Sequence, residues 1–97
     1  MYIGVCLLTL HLPENHSLKG KRHALKSIIT RIQNEFGVSV AEVGAQDLWQ
    51  LAELGVGCVS NDAQHSAEVI SKVVNFVERS RLDVILTEVR TDVIEAF

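Results

Sequence analysis

Residues 2–12 alternate without a break, and this constrains the fold more than any other stretch of the chain. Tyr2, Cys6, Leu8, Leu10 and Leu12 fall on one face; Ile3, Val5, Leu7, Thr9 and His11 fall on the other. A sustained period of two marks a strand. Pro13 and Asn15 end it, and Ser17 suits a helix N-cap. Leu25, Ile28, Ile29, Ile32 and Phe36 then recur at helical spacing until Gly37 stops the pattern. Val38–Val43 predicts a second strand, Gly44–Gln50 a connection, and Leu51–Ser60 a third strand softened by Gly55 and Gly57. Asp62 caps a second predicted helix, with Ala63, Ala67, Ile70, Val74 and Val77 on its apolar stripe. Leu82–Val89 predicts a fourth strand, which the tail Thr91–Phe97 either extends or leaves in order to pack across an edge.

The order is therefore β-α-β-β-α-β. Right-handed crossovers fold that order into a four-stranded antiparallel sheet with both helices on one face, the α+β ferredoxin-like sandwich. The first and third strands are expected at its centre. Ninety-seven residues suffice for one such domain, spanning 1–97, and not for two. In an antiparallel sheet with one covered face, the open face is normally polar. Here the open face of the central first strand begins Ile3, Val5, Leu7. That pattern predicts a cover, and a homodimer through the open sheet face is the expected one, ahead of the tail or another protein.

No apolar run approaches the roughly 20 residues needed to span a bilayer, and Met1–Val5 lacks the basic start of a secretory signal. A cytoplasmic, membrane-free protein is expected, with Cys6 and Cys58 as reduced core residues. The net charge of −3 is unevenly spread. Residues 1–37 carry five cations against two acids, and residues 38–97 carry four against ten. Any nucleic-acid contact must therefore use a local basic patch.

That patch is the first helix. At about 100° per residue, Lys19, Arg22, His23, Lys26, Thr30 and Gln33 share the solvent arc, whereas Lys21 falls among Leu25, Ile28 and Ile32. Cations in a first helical turn oppose the helix dipole, and such local conflicts concentrate where a protein works. Two readings of Lys21 follow. It forms a salt bridge with Glu42, Asp47 or Glu53, or it joins Ser17, Lys19, Arg22 and Lys26 in a site for a phosphate or carboxylate. Trp49, the only tryptophan, either closes the end of the core or offers a stacking platform to a base or partner. Asp47, two residues earlier, is expected to cap turn N–H groups or share that contact. His11, His16 and His23 lack a nearby Cys or carboxylate at ligand spacing, so no metal site is expected, and no cofactor motif is present.

These residues resemble a bacterial family of unknown function, the YlxP-like family. The resemblance runs through His16-Ser17-Leu18-Lys19, Lys21-Arg22, Val38–Val43, Gln46-Asp47-Leu48-Trp49-Gln50, Ala52–Val56 and Val59-Ser60-Asn61-Asp62, and weakens after the second helix. It implies a ferredoxin-like fold and, from the genes its members tend to accompany, a setting of ribosome maturation and translation initiation. It implies no activity. The family usually has Glu where this chain has Gly20, so the capping box with Ser17 is lost and the local cation excess is larger.

Absences narrow the function. Ile3–Leu7 and Leu54–Cys58 carry none of the aromatics on which RNA-recognition domains of this fold stack bases. There is no C-x-x-C after the first strand, no P-loop and no G-x-S-x-G. The loop 13–17 lacks the glycines of an acylphosphatase-like loop. An enzyme is therefore disfavoured. The leading reading is a small binding module of the translation machinery that meets ribosomal RNA or a ribosome-associated protein through the basic helix. A protein-interaction module and an anion-binding metabolite sensor or enzyme are the alternatives.

Overall fold

The computed structural model describes residues 1–80 and 84–97. Its elements run β1 (Tyr2–His11), α1 (Leu18–Phe36), β2 (Ser39–Gly44), β3 (Leu51–Ser60), α2 (Ala63–Arg79) and β4 (Ile85–Glu95). The sheet order is β2-β3-β1-β4, and all pairings are antiparallel. This is the ferredoxin-like sandwich, with β1 and β3 central. The predicted start of the last strand at Leu82 lies outside the described residues. The tail resolves toward extension: Ile3 pairs with Ile94, Tyr2 with Glu95, and the Ala96 N–H donates to the Met1 carbonyl at 2.8 Å.

Local chemistry sets the helix ends. Ser17 Oγ accepts from the Gly20 N–H at 3.0 Å, and Gly37 closes α1 in the left-handed region at φ 62°. Asp62 Oδ1 caps α2 by accepting from Gln64 N–H at 2.9 Å. The core joins Cys6, Leu8, Leu10 and Leu12 of the β1 side to Ala52, Leu54 and Val56 of β3, under Leu25, Ile28 and Ile32 of α1 and Ile70, Val73 and Val77 of α2.

One stripe differs from expectation. Ala67 is exposed, and the inward face of α2 is Ser66, Ile70, Val73 and Val77. The cause is Gly4. A Cβ there would stand 2.7 Å from the Ser66 carbonyl oxygen, so the bare strand lets the α2 backbone settle against it. Ser66 fits because it is small and its hydroxyl donates to the Ala63 carbonyl at 2.8 Å.

The cysteines also divide. Cys6 is buried and Cys58 only half-buried, and burial pushes the Cys6 thiol up from 9.0 to about 11. A thiol reagent at pH 8 is expected to label Cys58 first and Cys6 only on unfolding, as peptide mapping of the labelled protein will show. Equal labelling rates in the folded protein would contradict that burial. No helix among the described residues is long and apolar enough to cross a membrane.

Candidate functional site

The β1–α1 loop and the β2–β3 loop meet at one end of the sheet. Gln50 stitches them, its Nε2 donating to the carbonyls of Pro13 and Asn15, both at 3.1 Å. Its own carbonyl accepts from the Leu12 N–H at 2.8 Å. The Asn15 side-chain amide donates to the Ser17 carbonyl at 2.7 Å and also to the Trp49 carbonyl. One amide thus ties the N-cap of α1 to the backbone of the tryptophan. Gly20 makes room for it, since a Cβ at that position would collide with the Asn15 side-chain oxygen.

Lys21 anchors the same end from within. It is 1% exposed. Its ammonium lies 2.8 Å from Glu42 Oε2 and donates to the Ala45 carbonyl at 2.6 Å. The alternation of β2 explains the partner. Val40 and Glu42 register with the buried Val56 and Leu54, so both side chains enter the helix-covered face. A bulge between Glu42 and Gly44 then starts the loop. The contact is chiefly one of charge, because the buried Oε2 has no aligned hydrogen-bond donor. Ala45 is left-handed at φ 57°, a costly state for a residue with a Cβ. Its carbonyl also accepts from the Leu48 N–H at 3.1 Å, so Lys21 clasps the turn that carries Asp47, Leu48 and Trp49.

Of the five residues expected to meet an anion, Ser17 already caps Gly20, and the Lys21 ammonium points inward at Glu42. Lys19, Arg22 and Lys26 are exposed on the outer face of α1, together with His23, Thr30 and Gln33, as the helical wheel requires. Among the described residues Lys21–Glu42 is the one ion pair within 4 Å, so these three surface cations have no carboxylate partner there.

Trp49 does not close the core. It is 54% exposed and lines a shallow depression of about 610 Å³ with His11, Asp47, Leu48, Gln50 and Leu51. His11 and Leu51 pair directly with each other, on the open side of the sheet. The depression therefore opens away from the α1 cations, although the two surfaces share one end of the molecule. Among the described residues no backbone N–H donates to Asp47; the turn is closed instead by Leu48 and Ala45. No group of three metal-ligating side chains gathers there either.

A second basic surface was not picked out from the sequence. Arg31, Lys72 and Arg79 surround Phe36 and Phe76, whose rings meet edge-on at 5.5 Å, around a groove of about 520 Å³ between the helices. Lys72 and Arg79 stand seven apart on one face of α2, which was a usable signal. Arg31 comes from the other helix, and only the tertiary fold brings it in.

Comparison with known proteins agrees with this frame. Residues 3–91 match the family model described as "Protein of unknown function (DUF503)". The chain is 42% identical over 62 residues to "Uncharacterized protein YlxP" of Bacillus subtilis (strain 168), covering 64% of this chain and 67% of that relative. The match is extensive enough to assign membership, and the chain belongs to the DUF503 family of proteins of unknown function.

Proposed function

We propose that this protein is a homodimeric RNA-binding module in which the outer face of α1 holds phosphates and the open sheet face holds a second copy. The carrying observation is the exposed row Lys19, Arg22 and Lys26, free of carboxylate partners among the described residues. Three aligned cations on a chain of net charge −3 form a local attractor for a polyanion. The withdrawal of Lys21 leaves that row as the working charge. Trp49 supplies a flat apolar contact at the adjoining end, suited to an unpaired base. The translational setting implied by the family resemblance makes ribosomal RNA the first probe.

The variant Lys19→Glu/Arg22→Glu/Lys26→Glu is expected to bind a single-stranded ribosomal RNA fragment at least about tenfold more weakly, with thermal stability unchanged or slightly raised, since glutamates near the start of α1 suit the helix dipole. Trp49→Ala is expected to weaken binding by a similar factor, since base stacking is worth about 1–3 kcal/mol. Wild-type affinity in the triple variant, or a stable protein partner recovered without RNA, would overturn the reading.

A further inference from the structure

The open sheet face carries a ridge beside a trough. Ile3, Val5 and Leu7 stand half-buried along β1, and directly beside them on β3 lie Val59, Gly57 and Gly55. The two glycines, with Ser39, Ala41 and Val43 of β2, floor a trough of about 290 Å³. A Cβ on Gly57 would meet nothing within 4 Å, so the trough is open there, whereas at Gly55 it is walled by Val43, whose Cγ1 would stand 3.0 Å from a Cβ. Val59, 68% exposed, and Ile94, 46% exposed, extend the apolar surface around Ile3.

We infer that a second copy of this chain docks here by seating the Val5–Leu7 ridge of each subunit over the Gly57–Gly55 trough of the other. This rests on the homodimer reading above and adds its geometry. The two-fold axis runs parallel to the strands, between β1 and β3. Ridge and trough then exchange places under the symmetry, as an isologous contact requires. Val5 faces Gly57 of the partner subunit, Leu7 faces Gly55 of the partner subunit, and Ile3 faces Val59 of the partner subunit. On β4, Arg90 and Asp92 sit level with Leu7 and Val5. They come to lie over Ala41 of the partner subunit and Ser39 of the partner subunit, so neither of these two charges meets a like charge.

The competing two-fold, across the strands at the level of Leu7, places Val5 on Thr9 of the partner subunit and Asp92 on Glu88 of the partner subunit. It sets like charges against each other and is disfavoured. The extent is modest. With the His11–Leu51 end left free, where the Trp49 depression opens, three strands of about seven residues and the shorter β2, about 4.8 Å apart, cover roughly 400 Å² per copy, half of the approximately 800 Å² per partner of a stable interface, so a weak dimer is expected. Complementarity, more than area, is what favours a copy of the same chain, since the knob and the recess that fits it lie side by side.

The decisive variant is Gly57→Ile. The single fold has room for the side chain, and a β-branched residue suits a strand. The dimer does not have room, because the new side chain fills the seat of Val5. Sedimentation equilibrium across a micromolar to millimolar series is expected to show dimerisation of the wild type and at least about tenfold weaker dimerisation of Gly57→Ile, with circular dichroism unchanged. Val5→Ala, which shrinks the ridge, is expected to weaken it as well. Tighter association of Gly57→Ile, the result expected of unspecific apolar stickiness, would overturn the ridge-in-trough arrangement while leaving a sheet-face dimer standing. A wild type that stays monomeric throughout the series would overturn the homodimer reading and this geometry with it.

Discussion

Lys21→Ala is expected to lower the unfolding free energy by about 3 kcal/mol, read from urea denaturation. Removing one partner of a buried ion pair typically costs about 3–5 kcal/mol, because the other charge is left without compensation. Glu42, whose side chain is 23% exposed, recovers some hydration, and this brings the cost toward the lower end. Two further losses act in the same direction. The buried stem of Lys21 leaves a cavity, and the left-handed Ala45 loses the ammonium that holds its carbonyl. For a chain of this size that is a large share of the roughly 5–15 kcal/mol available. The paired replacement Lys21→Met/Glu42→Leu is expected to recover most of the loss, since it buries no lone charge. A cost under about 1 kcal/mol for Lys21→Ala would show that the clasp contributes little, and would return Lys21 to the anion-site reading.

Gly4→Val is expected to cost at least about 3 kcal/mol or to abolish folding. The first atom of any side chain at Gly4 would lie 2.7 Å from the Ser66 carbonyl oxygen and 3.0 Å from Ile70 Cγ1. The carbonyl belongs to helix backbone and cannot rotate aside, so α2 must lift from the sheet and loosen Ile70, Val73 and Val77 together. Overpacking of this kind costs typically about 1–3 kcal/mol for a single added group, and valine adds three. Differential scanning calorimetry gives the comparison directly. A Gly4→Val melting temperature within a few degrees of wild type would contradict the close approach. A fall of more than about 12 °C is the expected result, from roughly 4–8 °C per kcal/mol in a domain of this length.

What the sequence revealed follows from which effects are local. The alternation of β1, the caps Ser17, Asp62 and Gly37, and the bounds of β3 each rest on a few neighbouring residues, and all were legible. The wheel of α1 correctly turned Lys21 inward and Arg22 outward for the same reason. The choice of Glu42 over Asp47 and Glu53 was not legible. It depends on the phase of β2 against β3, which only the pairing of Glu42 with Leu54 settles. In α2 the spacing of Ile70, Val73 and Val77 was legible, but the inward seat of Ser66 was not, because the strand glycine that admits it, Gly4, is distant in the chain. The exposure of Trp49 was hidden because Asn15 and Gln50 hold the loop by its backbone, so the indole carries none of the anchoring. The grouping of Arg31 with Lys72 and Arg79 required the packing of α1 against α2.

The central claim is that three cations on the outer face of α1 bind RNA phosphate. The most direct test is the salt dependence of affinity for a single-stranded RNA oligonucleotide, measured by fluorescence anisotropy from low to moderate ionic strength. Neutralising three phosphates on a single strand predicts a slope of log affinity against log salt of about −2, from roughly 0.7 per contact. The slope should flatten toward zero in Lys19→Glu/Arg22→Glu/Lys26→Glu. A flat response in the wild type, or the same slope in both proteins, would contradict the account.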